Sequence, residues 1–145
     1  MNILDNRIIA ILRDVDAENI VDVINALVGG GIISIEIPLN HSTPAAKAAS
    51  LRTIQKSHET FGDQIFLGAG TILSPEEAEA AANAGAKYII SPNMDPEVIK
   101  KDEVFGTGLH ARSYDPSEIV DAYKNVPILL RYSGRKSGDR LYQRQ

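Results

Sequence analysis

The chain has 145 residues, enough for one domain with a real core, and its 43% hydrophobic and 23% charged residues are those of a water-soluble globular fold. A formal charge of −4 with no basic stripe argues against a nucleic-acid partner, and the absence of cysteine excludes disulfides and thiolate metal sites. The apolar run near the N-terminus is broken by Arg7 and Arg13 and is too short to cross a membrane, so a cytoplasmic protein is the expectation.

In chain order, strands are predicted at 7–13, 31–37, 64–69, 87–91 and 127–132. They are continuous apolar runs rather than alternating ones, the pattern of strands buried on both faces. In the first helix Ile20, Ile24, Leu27 and Val28 share one face, suited to packing on a sheet. Thr43-Pro44, Ser74-Pro75-Glu76-Glu77, Asp95-Pro96-Glu97 and Asp115-Pro116-Ser117-Glu118 mark further helix starts, with a cap, a first-turn proline and, in the last three, acids that complement the dipole. Gly29-Gly30-Gly31 and Gly85 mark helix ends before strands. The β/α rhythm predicts right-handed crossovers and a parallel sheet in one domain, with reactive groups at the carboxyl ends of the strands.

That rule directs attention to Arg13, Glu36, Thr71 and Ser91-Pro92-Asn93. Glu36 ends an apolar strand, where lost hydration raises a carboxyl pKa toward the range that moves protons; the alternative is a carboxylate paired with Arg13. Arg13 suits a carboxylate or phosphate, or an internal ion pair. Gly68-Ala69-Gly70-Thr71 allows close backbone approach to a ligand but lacks the spacing of a nucleotide loop, and a tight turn explains it equally well. Ser91-Pro92-Asn93 is first of all a turn. His41, His58 and His110 lack metal-ligand spacing and are read as surface or loop residues, and Lys100 and Lys101 as a solvated helix end.

Taken in order, IIAILRDV, IEIPLN, LGAGTIL and IISPNMDPEVIKK, resuming at DPSEIVDAYKN, resemble the 2-keto-3-deoxy-6-phosphosugar-acid aldolases. The IEIPLN and SPN forms are most similar to the 2-dehydro-3-deoxy-6-phosphogalactonate type, since gluconate-type relatives tend to carry arginine at the place of Asn40 and glycine at that of Asn93. The resemblance implies a (β/α)8 TIM barrel, commonly trimeric, without metal or organic cofactor. It implies Schiff-base retro-aldol cleavage of a phosphorylated keto sugar acid to pyruvate and glyceraldehyde 3-phosphate. Glu36 takes the place of the acid/base residue, and Arg13 and Thr71 take substrate-contacting places near the carboxylate and keto end. Asp14 departs from the family's usual glycine, and its negative charge weakens an anion site at Arg13.

The family's lysine lies on the sixth strand, in a run resembling Gly-Ala-Asp-Ile-Val-Lys-Ile-Phe-Pro-Ala-Gly. After Asn125 this chain reads VPILLRYSGR, with Arg131 near that place. A guanidinium stays protonated and offers no free amine. Lys87 begins a strand and Lys124 ends a helix, and neither replaces it. Val126 to Tyr132 can be written GTG CCG ATA TTG TTA AGA TAT; one G added in front gives GGT GCC GAT ATT GTT AAG ATA, which encodes the expected lysine motif. A second added base continues it through Phe-Pro-Ala-Gly, and LHARSY at 109–114 admits a similar shift. The division expected is therefore 1–125, aldolase-like β/α units of a partial barrel, and 126–145, a frame-shifted tail. Such barrels take at least about 200 residues to close, so five to six units form an incomplete, poorly stable barrel lacking the phosphate site after strands seven and eight. The alternatives for this chain are an inactive fragment or a non-catalytic module binding a small keto acid.

Overall fold

The computed structural model describes residues 8–92, residue 97 and the strand backbones at 109–113, 130–132 and 140–142. Its elements are β1 (Ile9–Ile11), α1 (Ile20–Gly29), β2 (Ser34–Pro38), α2 (Pro44–Phe61), a 3-10 turn (Gly62–Gln64), β3 (Phe66–Gly70), α3 (Pro75–Asn83), β4 (Tyr88–Ser91), β5 (Leu109–Ser113), β6 (Leu130–Tyr132) and β7 (Arg140–Tyr142). One sheet runs in the order β1 to β7. β1 through β6 pair in parallel, as the β/α rhythm predicts, and the fold is an incomplete (β/α)8 barrel. β7 is a correction, because it runs antiparallel to β6, with Arg131 opposite Leu141. A seven-residue segment, 133–139, connects those two strands, shorter than the dozen or more residues that a parallel crossover needs.

Helix starts follow the sequence signals. Thr43 Oγ1 accepts from the Ala46 N–H at 3.0 Å with Pro44 in the first turn of α2, and Ser74 Oγ accepts from the Glu77 N–H at 3.3 Å ahead of Pro75 in α3. The starts at Asp95 and Asp115 lie outside the described residues, apart from Glu97, which is helical. Before α1, Asp16 Oδ1 gathers the Glu18 and Asn19 N–H groups at 3.2 and 2.9 Å. Gly85 sits at φ 101°, and a β-carbon there would overlap the His58 ring, so both the conformation and the space demand glycine.

Strand register sorts the side chains into two layers. Ile35 and Ile37 of β2, Leu67 and Ala69 of β3 and Ile89 of β4 face the helices and are buried with Ile20 and Ile24 of α1, Ile54 of α2 and Ala78 and Ala81 of α3. Each buried Ile or Leu stabilises this layer by about 1.5–3 kcal/mol. The other face, the barrel interior, carries Ile9 and Ile11, then Ser34 and Glu36, then Phe66, Gly68 and Gly70, then Tyr88 and Ile90. Tyr88 fills it. Its ring stacks on Phe66 with centroids 5.1 Å apart, its hydroxyl donates to the Ile35 carbonyl at 3.0 Å, and a β-carbon at Gly68 would strike it.

Candidate active site

The carboxyl ends of β1, β2 and β3 bring three sequence-selected residues to one rim. Glu36 lies inside β2, registered between Ile11 and Gly68, and the Leu12 N–H donates to its carbonyl at 2.8 Å. Arg13 is two residues beyond Ile11, a spacing that puts it on Glu36's face of the sheet. Thr71 follows the last residue of β3.

The Glu36 side chain is 6% exposed and folds over Gly70, where a β-carbon would overlap Oε1. Glycine at 70 therefore makes room for the carboxyl group. Burial pushes the Glu36 pKa above the ordinary carboxylate range, and the positive charge of Arg13 opposes that only in part. No ion pair within contact distance joins the two among the described residues, and Arg13 is exposed. This geometry suits a proton carrier beside a free guanidinium better than a closed internal pair. The Tyr88 phenol beneath it is pushed up, first by burial and then by the charge of Glu36, so its proton stays fixed.

Two backbone positions on this rim are left-handed without being glycine, Asp14 at φ 56° and Thr71 at φ 57°. Asp visits this region readily, whereas a β-branched residue does so only under strain held by its surroundings. Asp14 Oδ1 accepts from Asn40 Nδ2 at 3.1 Å, a bond across the loops after β1 and β2. Asn40 is fixed further by its N–H to Ser50 Oγ at 3.1 Å and by its Oδ1, which accepts from the Ser42 N–H at 2.9 Å.

Sequence reasoning missed a second cluster on the rim. His41 joins Glu77 at 3.1 Å, and Lys47 reaches the same carboxylate at 2.9 Å. The Ser74–Glu77 spacing was its visible trace, but His41 carried no signal. Ser91, with Oγ donating to the Ile72 carbonyl at 2.9 Å, is a structural link; Asn93 lies outside the described residues, as do Lys100, Lys101, Lys124 and the side chain of His110. Lys87 is at the opposite rim, where Nζ binds Asp63 at 2.8 Å and the Gly62 and Ile65 carbonyls. Among the described residues no three His, Asp or Glu side chains gather as metal ligands. A cleft of about 500 Å³ opens on the helix side of the sheet between the 14–18 loop and α2, with Asp14 and Asn40 of the rim in its lining. Its volume lies away from the Glu36 carboxyl, which occupies the other face.

A family model described as "KDPG and KHG aldolase" matches residues 2–125. The chain belongs to that family. It is 33% identical over 99 residues to a 2-dehydro-3-deoxy-6-phosphogalactonate aldolase of Escherichia coli K12, covering 68% of this chain and 45% of that protein. A probable aldolase of the same name from Rhizobium meliloti is 31% identical, covering 82% and 53%. Among solved structures, "Native KDPGal structure" superimposes with a TM-score of 0.73 at 28% identity, covering 86% of this chain and 57% of that one. A Legionella pneumophila KDPG aldolase holding pyruvate as a covalent carbinolamine gives 0.71 at 25% identity, covering 82% and 55%. The chain thus spans about half the length of its aldolase relatives. β6 is the sixth parallel strand of this aldolase fold, and its central residue is Arg131.

Proposed function

We propose that residues 1–125 are the first β/α units of a class I aldolase for a 2-keto-3-deoxy-6-phospho sugar acid, and that 126–145 are a frame-shifted tail. In the complete reaction a lysine amine adds to the C2 keto group and water leaves, giving an iminium. The C3–C4 bond then breaks with its electron pair moving into the iminium, and the C4 hydroxyl gives up its proton as glyceraldehyde 3-phosphate departs. Hydrolysis of the protonated enamine releases pyruvate. Glu36 carries the protons, Arg13 binds the substrate carboxylate, and Thr71 contacts the keto end. The observation that carries this assignment is the buried Glu36 carboxyl seated over Gly70 on the rim shared with Arg13 and Thr71.

The 145-residue chain itself does not catalyse this cleavage, because the sixth strand offers Arg131 and no amine. Two facts support the frame shift: the family match ends at residue 125, and the strand beyond β6 turns back antiparallel. The family's cytoplasmic homotrimer is the assembly proposed for the intact protein. A keto-acid-binding module is the second reading, favoured by the fact that Arg13, Glu36 and Thr71 all precede the tail. Borohydride reduction in the presence of pyruvate decides between them. No covalent adduct is expected on this chain, and an adduct is expected once the frame at 126 is restored; trapping on the chain as it stands would refute the assignment. Pyruvate binding without trapping supports the module, and sequencing the coding DNA at 126–132 tests the frame directly.

A further inference from the structure

Two glycines of β3 serve as seats for side chains that come from the strands on either side. The register puts Glu36 of β2 and Tyr88 of β4 on the two flanks of Gly68, in one interior layer. The space over Gly68 is therefore within reach of both. The far edge of the Tyr88 ring takes it, because a β-carbon there would overlap Cε1, Cζ and Cε2. The Glu36 carboxyl lies over Gly70 instead, two residues on toward the carboxyl end of β3, about 6.6 Å at the usual strand rise.

The ring is held where it is. It is fully buried, it stacks on Phe66 with centroids 5.1 Å apart, and its hydroxyl donates to the Ile35 carbonyl at 3.0 Å. That tether crosses β3 and ends on the residue before Glu36. A ring edge and a carboxyl group cannot share one seat in a close-packed interior. The lower position is thus barred to Glu36, and the seat at the rim, beside Arg13 and Thr71, is left to it. Among the described residues, the titratable groups facing the carboxyl are Arg13 from beyond β1 and Tyr88 from β4, while β3 presents only glycines.

We propose that Tyr88 is a positioning residue, which steers the Glu36 carboxyl to the rim by occupying the space over Gly68. The proposal rests on Glu36 carrying protons beside a bound keto acid; Tyr88 itself touches no substrate. Reach of the ring is what counts. Phenylalanine at 88 would still cover Gly68, whereas leucine ends at its δ-carbons and leaves the seat open.

The test uses the full chain. Nuclear Overhauser contacts from the Glu36 γ-protons to the α-protons of Gly68 and Gly70 locate the carboxyl directly. Pyruvate affinity, measured by calorimetry from about pH 4.5 to 8, reports its effect on a bound anion. The affinity falls as Glu36 ionises, by about fivefold, and the part of the slope missing from E36Q belongs to Glu36. Parent and Y88F are expected to show the Gly70 contact and the same slope. In Y88L the contact passes to Gly68 and the slope drops to that of E36Q. Y88L that keeps the Gly70 contact and the parent slope overturns the proposal, as does Y88F that loses them. G70A decides the matter even if Y88L does not fold, since Gly70 has no positive φ and accepts alanine. Its methyl evicts the carboxyl from the rim and the ring bars it from the lower seat, so contact with neither residue is expected. A Glu36–Gly68 contact in G70A would show that Tyr88 blocks nothing. Absence of pyruvate binding in the parent, with the contacts still following residue 88, refutes the keto-acid reading and leaves the steering intact.

Discussion

At the scale of single residues the rim stores strain and buried charge side by side. Thr71 at φ 57° costs about 1 kcal/mol relative to glycine, so T71G is expected to raise the melting temperature by about 3 °C while weakening pyruvate binding. Thermal melts and calorimetry on one preparation check both signs; a variant that gains stability with unchanged affinity would remove Thr71 from the site. Glu36 gives a second prediction. Its folded pKa is raised by burial, so the folded state binds a proton more tightly than the unfolded chain does. Stability is then greatest with Glu36 protonated and falls as pH rises from the unfolded carboxyl pKa through the folded one. E36Q is accordingly expected to melt higher than the parent at neutral pH and to converge with it in acid; a parallel offset at all pH values would contradict this. The placement of Arg13, Glu36 and Thr71 on one rim was legible in sequence because each stands at or near the carboxyl end of an apolar run. Positive φ at Asp14 and Thr71 was not, since neither residue type announces that conformation.

Elements show the same division between what local chemistry displays and what pairing imposes. T43A removes the acceptor for the Ala46 N–H and is expected to cost α2 about 1 kcal/mol, seen as a lower denaturation midpoint at unchanged slope. G68A drives a methyl into the Tyr88 ring, which is fixed by its bond to Ile35, and is expected to cost about 1–3 kcal/mol; an unaffected midpoint would place the ring elsewhere. Strands β1 to β4 and β6 were legible as apolar runs, with edges differing by up to three residues. β5 escaped because Leu109-His110-Ala111-Arg112-Ser113 alternates apolar and polar residues within a sheet otherwise made of continuous runs. β7 escaped for a different reason: Arg140-Leu141-Tyr142 is too short to declare itself, and only pairing with β6 makes it a strand.

For the whole molecule, the sheet order leaves β1 paired on one side among the described residues, next to Ile8 and Ile11 at 61% and 50% exposure. In a closed barrel the Ile11 face is interior. Here it meets water, with an unpaired parallel edge beside it. The chain expressed alone is expected to unfold over a broad range and to associate at micromolar concentration, checked by calorimetric scans and sedimentation velocity. A sharp transition from a monomer at those concentrations would show that β1 is protected. Which strand is left at the edge, and which apolar side chains it exposes, required the register.

Tyr88 has one more use. The chain contains no tryptophan, so near-ultraviolet dichroism arises chiefly from its five tyrosines. A tyrosine that is fully buried, stacked on Phe66 and tethered to a strand carbonyl is held in a single asymmetric setting, the condition for a strong tyrosine band. The molecule thereby carries its own optical gauge of the barrel interior, placed beneath Glu36 and readable without a label.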